Sequence, residues 1–275
     1  MSDEFYLFRG CLIPTRLPFL ERSSLFILDK LGIGHEILPC ATCCVEPIGL
    51  RSLALDTWLL TAARMLSIAE DGGKDILTLC NGCYVSLKEA RHVLESKEER
   101  DRVNSILDEI GMEYKGTVDV HHLCGILKDM ESRVRCTVVS PQGNLRMAVH
   151  SGCHIVRPSV VTSIDSHFSP HILSDIVDWV GSEVAYFEDW PKCCGGGISG
   201  ISEDISLRVF EDSIKEFKRA KANSILTPCP FCFVQFDIKQ KEGLPVLYIS
   251  ELLALAFGAA PESIGMKYHR TKVVV

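Results

Sequence analysis

The sequence predicts an α/β protein of two pseudo-symmetric halves, each with a short, mostly parallel sheet flanked by helices. Three observations predict it. Short apolar runs alternate with longer amphipathic stretches, the pattern of strand–loop–helix units. The text of the first half returns in the second: Ile76-Leu-Thr-Leu-Cys-Asn-Gly-Cys-Tyr-Val-Ser-Leu87 pairs with Ile225-Leu-Thr-Pro-Cys-Pro-Phe-Cys-Phe-Val-Gln-Phe236. Both copies carry cysteines at matching places, the mark of an internal repeat.

The elements follow in order. Tyr6–Phe8, Ile76–Leu79, Val118–Val120, Met147–Val149, Ser224–Thr227 and Val246–Tyr248 read as short strands. Helices are expected at 20–31, 51–70, 83–94, 98–110, 169–180, 203–221 and 249–256. The 51–70 helix meets Gly72-Gly73, a C-terminal stop. The 203–221 helix opens with Ser202 as N-cap and two acids in its first turn, with Ile205, Val209, Ile214 and Phe217 on one face. Turn formers cluster at Ser140-Pro-Gln-Gly-Asn144, so the expected domains are 1–140 and 141–275.

Composition narrows the function. The chain has 275 residues, 47% hydrophobic, enough to bury a real core. Its 29 basic and 36 acidic residues give a formal charge of −7, which disfavours nucleic acid as the main partner. Mean hydropathy is +0.16, but no run of about 20 apolar residues suggests a membrane span. The start, MSDEFYLFRG, lacks the basic segment and long apolar stretch of a secretory signal, so a reducing cytoplasm is expected. Thirteen cysteines there point to metal or iron–sulfur ligation more than to disulfides.

Ten of the thirteen form two sets in register. Cys11 is followed after 31 residues by Cys43-Cys44, and after 35 more by Cys80-x-x-Cys83. Cys153 is followed after 39 residues by Cys193-Cys194, and after 34 more by Cys229-x-x-Cys232. Cys11, Cys80, Cys153 and Cys229 directly follow predicted strands. They should converge on the rim where parallel sheets bind ligands. Each CxxC should begin a helix, whose N-terminus favours thiolates. A structural zinc or a cubane cluster takes four thiolates. Five per half is one too many for either. One is a spare, or the group is not a simple cubane; the same excess in both halves favours a fifth ligand.

These residues carry a resemblance. Gly10-Cys-Leu-Ile-Pro, Thr78-Leu-Cys-Asn-Gly-Cys83, His150-Ser-Gly-Cys-His154, Cys193-Cys-Gly-Gly196 and Pro228-Cys-Pro-Phe-Cys232 resemble the CCG cysteine-rich repeat, in particular that of the B subunits of methanogen CoB–CoM heterodisulfide reductases. The resemblance covers nearly the whole chain. The first repeat departs from it: Cys43-Cys44-Val45 has no glycine. The resemblance implies two noncubane [4Fe-4S] clusters of five cysteines each. Cys11, Cys43, Cys44, Cys80 and Cys83 would hold one; Cys153, Cys193, Cys194, Cys229 and Cys232 the other. It further implies a catalytic subunit that reduces CoM-S-S-CoB to two thiols, each cluster supplying one electron. Its partners would be a ferredoxin-like C subunit and a flavin-bearing A subunit. The chain itself lacks a flavin motif and a ferredoxin-type cysteine run, so no flavin or nucleotide is expected on it.

Three further residues are candidates in that scheme. His154 follows a ligand cysteine, and imidazole is suited to proton delivery near neutrality. Its bland alternative is a hydrogen bond to the loop. Arg16 and Arg157 lie a few residues past the first cysteine of each repeat and could hold sulfonate, carboxylate or phosphate groups; surface pairing is the alternative. Gly195, Gly197 and Gly200 spell GxGxxG without the strand a dinucleotide site needs, so close packing is preferred. Cys40, Cys124 and Cys136 have no repeat partners and are expected as buried free thiols, Cys40 with a possible place near the ligands. His121-His122 is expected to be structural, and Glu95–Arg102 a solvated face. Two rivals remain: an iron–sulfur carrier in another CCG oxidoreductase (lactate utilisation, thiol–fumarate reduction or quinone-linked), and a zinc scaffold.

Overall fold

Each half of the computed structural model, which describes residues 4–45, 47–187, 192–240 and 243–272, builds one four-stranded parallel sheet. The first contains β1 (Glu4–Phe8), β2 (Gly34–Ile37), β3 (Asp75–Thr78) and β4 (Val120–His122), in the order β2-β1-β3-β4. The second contains β5 (Arg146–Val149), β6 (Glu183–Val184), β7 (Ser224–Thr227) and β8 (Val246–Tyr248), in the order β6-β5-β7-β8. The orders are identical, so every strand of one half has an equivalent in the other. The register agrees: Leu7 pairs with Leu77 as Val149 pairs with Leu226.

The helices of the first half are α1 (Leu12–Arg16), α2 (Pro18–Lys30), α3 (Leu50–Leu53), α4 (Leu55–Asp71), α5 (Asn81–Val93), α6 (Lys97–Leu107), α7 (Leu123–Asp129) and α8 (Glu131–Thr137). Those of the second are α9 (Ile172–Trp179), α10 (Glu203–Arg219), α11 (Pro230–Lys239) and α12 (Ile249–Ala256). Proline at the first turn starts α2 and α11, where its missing N–H costs nothing. Helix α4 buries Trp58, Leu59, Ala62, Met65, Leu66 and Ala69 along one stripe. The Trp58 indole N–H donates to Ser86 Oγ at 2.7 Å, which satisfies its one polar atom.

The halves share a core. Helices α2 and α12 meet through buried serines, Ser23 and Ser250 at 2.6 Å and Ser24 to Ser250 at 3.1 Å. Small hydroxyl side chains let the helices approach closely with their polar atoms paired. The Tyr248 hydroxyl donates to the Leu79 carbonyl, tying the end of β8 to the loop after β3. No helix among the described residues is long and apolar enough to cross a membrane.

Several expectations are corrected. The 51–70 segment is two helices, broken at Ala54, whose backbone leaves the helical region (φ −144°, ψ 65°). The buried face of α10 is Ser206, Phe210, Ser213 and Phe217; Ile205 is 49% exposed. Apolar residues lie on both sides of that stripe, so periodicity alone placed it one position off. Cys40 and Cys136 are exposed, and Cys124 alone of the three is buried. Cys136 lies on α8, whose one buried residue is Val134. The fourth strand runs Val120–His122 rather than Val118–Val120.

Candidate metal centre

The order β2-β1-β3-β4 places a topological switch between β1 and β3. From there the chain leaves to opposite sides, so loops part and open a crevice at the strand C-termini. Cys11 and Cys80 stand in the loops after these two strands; Cys153 and Cys229 hold the same places after β5 and β7. Cys80 and Cys229 are the extended N-cap residues of α5 and α11. Cys83 and Cys232 are therefore in the first helical turns, within the favourable end of the helix dipole.

Glycine lets the first-cysteine loop press on the CxxC. Gly10 has φ +67°, and a Cβ there would lie 2.7 Å from Cys83 Sγ. Gly152 has φ +76°, and its Cβ would lie 2.7 Å from Asn81 Nδ2 and 3.6 Å from Cys232 Sγ. The residue after each adjacent pair is also left-handed: Gly195 at φ +81° and Val45 at φ +54°. This turn aims backbone N–H groups at sulfur. Gly195 N–H donates to Cys193 Sγ at 3.3 Å and Gly196 N–H to Cys194 Sγ at 3.4 Å. Val45 N–H does the same for Cys43.

The ten thiols form one continuous chain of contacts. Cys11 meets Cys43, Cys43 meets Cys44, Cys44 meets Cys83 and Cys83 meets Cys80. Cys80 meets Cys229 across the halves, Sγ to Sγ 4.0 Å. The second half repeats the order in reverse: Cys229, Cys232, Cys194, Cys193, Cys153. All are free thiols.

The contacts divide the charge unevenly. Hydrogen bonds from Cys11 and Cys44 pull Cys43 down to about 2, and those from Cys153 and Cys194 do the same to Cys193. Donors Cys232 and Cys80 hold Cys229 well below the ordinary thiol range. The donors are pushed up in turn, Cys44 to about 12 by Cys43. So many thiols this close cannot ionise together without a cationic group to bind them. Among the described residues no four thiols are mutually close enough for one tetrahedral ion. The nearest-knit group is His150, Cys194 and Cys232, with ligand atoms within 4.8 Å of one another. Five sulfurs strung along a contact path suit a multi-iron group better than a single zinc.

Residues 5–88 and 147–237 match the family described as "Cysteine-rich domain", CCG. The chain belongs to the CCG cysteine-rich domain family. Its resemblance to the reductase B subunits is borne out by relatives. It is 36% identical over 274 residues to the B subunit of the ferredoxin/F(420)H(2)-dependent CoB-CoM heterodisulfide reductase of Methanosarcina acetivorans, covering 95% of this chain and 91% of that one. It is also 30% identical to the 8-methylmenaquinol:fumarate reductase membrane anchor subunit of Wolinella succinogenes, covering 98% and 97%. The fold matches a hypothetical protein from Helicobacter pylori with a TM-score of 0.77 at 16% identity. All of this chain aligns there, and it spans 53% of that structure.

Both CCG repeats open into one cavity. It is lined by all ten motif cysteines and by His154, Arg9, Asn81, Ile48 and Phe231 among others. An adjoining cavity is lined by Cys153, His154, Arg157, His167 and Phe168. His154 is half-buried and borders both. Arg157 is exposed on the outer one. Arg16 is exposed in the last turn of α1 and lines neither. Among the described residues the GxGxxG glycines follow no strand. A Cβ on Gly195 would meet the Ser206 carbonyl oxygen at 2.7 Å and one on Gly197 would meet Ile48, so these two are closely packed, whereas Gly200 faces open space.

Sequence reading missed two polar residues buried beside the thiols, Asn81 and His150; His122, expected to be structural, is buried near Cys229. Asn81 is 2% exposed; its Nδ2 donates to the Ser151 carbonyl at 2.7 Å, and its Oδ1 has no partner. His122 and His150 are buried, each with Nε2 unpartnered. Burial pushes both down to about 4, against the pull of Cys229 on His122 and of Cys193 and Cys229 on His150. His122 Nδ1 accepts from the Cys124 N–H at 3.2 Å, so a neutral ring carries its proton on Nε2. The available signal was position: His122 ends β4, and His150 lies between β5 and Cys153.

Proposed function

We propose that this chain is the catalytic subunit that reduces the CoM-S-S-CoB heterodisulfide to the thiols coenzyme M and coenzyme B. The observation that carries this reading is the meeting of two five-thiol sets at one cavity, with Cys80 and Cys229 4.0 Å apart. Cys11, Cys43, Cys44, Cys80 and Cys83 would hold one noncubane [4Fe-4S] cluster. Cys153, Cys193, Cys194, Cys229 and Cys232 would hold the other. When bound, the clusters supply one electron each to the disulfide. The balance is R–S–S–R′ plus two electrons and two protons, giving RSH and R′SH. Two one-electron sites on one pocket match that stoichiometry; a single site does not.

The chain's own residues supply the rest. Leu12, Ile13, Ile48 and Phe231 give the cavity apolar walls that exclude water. His154 holds a proton at its imidazole between the inner and outer cavities and delivers it to a released sulfur. Arg157 on the outer cavity, and Arg16 in the last turn of α1, bind the anionic ends of the substrate. The repeats act as two domains, 1–140 and 141–275, in a cytoplasmic complex. Electrons arrive from a ferredoxin-like C subunit and a flavin-bearing A subunit.

A second reading is an iron–sulfur electron-transfer subunit of another CCG oxidoreductase, favoured by the 30% identity to the fumarate reductase subunit. A thiol-release assay separates them. The cluster-loaded chain with its partner subunits and a low-potential donor should release two thiols per CoM-S-S-CoB. No release from that preparation favours the carrier, and zinc without acid-labile sulfide ends both readings.

A further inference from the structure

The two thiol sets are equivalent in order but not in surroundings. In the first, Cys11 and Cys43 are exposed and Cys80 is half-buried. In the second, Cys153 and Cys193 are half-buried and Cys229 is buried. A drier site disfavours the extra negative charge of reduction, so burial alone would leave the second cluster harder to reduce. Two donors serving one two-electron reaction work best when neither lags.

One buried side chain acts in the opposite sense. Gly10-Cys11 aligns with Gly152-Cys153, and the strand register agrees, so His150 occupies the place of Phe8. Phe8 is fully buried and has no polar atom to offer. His150 is 4% exposed, and its ring stands edge-on to Phe236, centroids 4.8 Å apart. Its Nε2 has no hydrogen-bond partner, and one of its ring nitrogens lies within 4.8 Å of both the Cys194 and Cys232 sulfurs without a hydrogen bond to either. An N–H that donates to a cluster sulfur stabilises the more negative, reduced state and raises the potential.

We propose that, with the second cluster bound, His150 donates a hydrogen bond to one of its sulfurs and raises that cluster's potential to match the less buried first one. This rests on the cluster assignment above. His150 is a positioning and tuning residue here; it takes no part in the bond changes at the disulfide. The asymmetry it corrects is the one that two unequal burial depths create.

The test uses the full-length chain, anaerobically loaded, with iron and sulfide counted first. EPR-monitored redox titration of the wild type should give two closely spaced midpoints. His150→Phe should move one midpoint to lower potential and separate the pair. His150→Gln, which keeps an N–H donor, should restore part of the shift. Phe8→His should raise the other midpoint. With ¹⁵N-labelled histidine, a weak nitrogen coupling should appear in one cluster's signal and vanish in His150→Phe. Unmoved midpoints in fully loaded His150→Phe overturn the inference, as does the strong coupling of a direct iron–nitrogen bond. Absence of iron and sulfide from the wild type would instead defeat the cluster assignment.

Discussion

Cys80 and Cys229, the N-cap residues of α5 and α11, bring their sulfurs to 4.0 Å between the two halves. They are the central link of the ten-thiol chain, so groups bound to the two sets share a boundary. Spin–spin interaction between them is the expected consequence. The doubly reduced, loaded chain should show a broadened EPR signal. Cys44→Ser, which removes a buried thiol from the middle of the first set, should cut iron from about eight to about four per chain. The remaining signal should sharpen. A signal of unchanged width in Cys44→Ser would mean that the sets do not sense each other.

Val45 occupies a left-handed position that the second repeat gives to Gly195. For a β-branched residue this costs about 1–3 kcal/mol. The turn persists because it aims the Val45 N–H at Cys43. Val45→Gly should therefore stabilise the loaded chain by about 1 kcal/mol in denaturant melts, after the glycine's own entropy cost. Gly195→Val should destabilise it by more. Its Cβ would come within 2.7 Å of the Ser206 carbonyl oxygen, and backbone cannot step aside cheaply. Equal effects of opposite sign would argue against the second contact.

Much of the fold was legible because the buried strands are apolar and end in Gly-Cys or CxxC. Ser224–Thr227 and Val246–Tyr248 fall where the pattern put them. The strands Gly34–Ile37 and Glu183–Val184 were invisible, since each pairs on one side only and needs no apolar run. The thiol sets were legible as a spacing. Their contact through Cys80 and Cys229 was not, because no pattern in the chain reports how the two halves dock. Nor was His150, whose significance lies in a nitrogen left without a partner by three-dimensional packing.

Gly10 and Gly152 hold the first-cysteine loops against the CxxC turns. Gly10→Ala places a methyl 2.7 Å from Cys83 Sγ, so it should displace a thiol of the first set. Gly152→Ala meets Asn81 Nδ2 at 2.7 Å, and should break that amide's bond to Ser151 before it reaches Cys232 at 3.6 Å. Iron retention after chelator challenge should therefore fall more steeply for Gly10→Ala than for Gly152→Ala. Reversed sensitivities would show that the amide, rather than the sulfur, is the unyielding contact.

Stability should fall as pH rises above 6.5, through His269 and Glu251. His269 Nε2 donates to Glu251 Oε1 at 2.7 Å, and Nδ1 donates to the Val246 carbonyl at 3.1 Å. Both side chains are fully buried. With an acceptor at each nitrogen, the doubly protonated ring is the satisfied form. Burial opposes that charge, but the Glu251 carboxylate outweighs it and raises the His269 pKa above its ordinary 6.5. The folded chain therefore binds more protons than the unfolded one above pH 6.5. This contribution is complete below 6.5 and is lost as pH climbs through the raised folded value. Melting temperatures of the loaded chain should decline across that window. Glu251→Gln should flatten the decline and lower stability at pH 6 by about 3–5 kcal/mol if the imidazolium is left without its counter-charge. His269→Phe should flatten it too, with no buried charge left behind and so a smaller loss. A pH slope identical in wild type and both variants would assign the dependence to other groups.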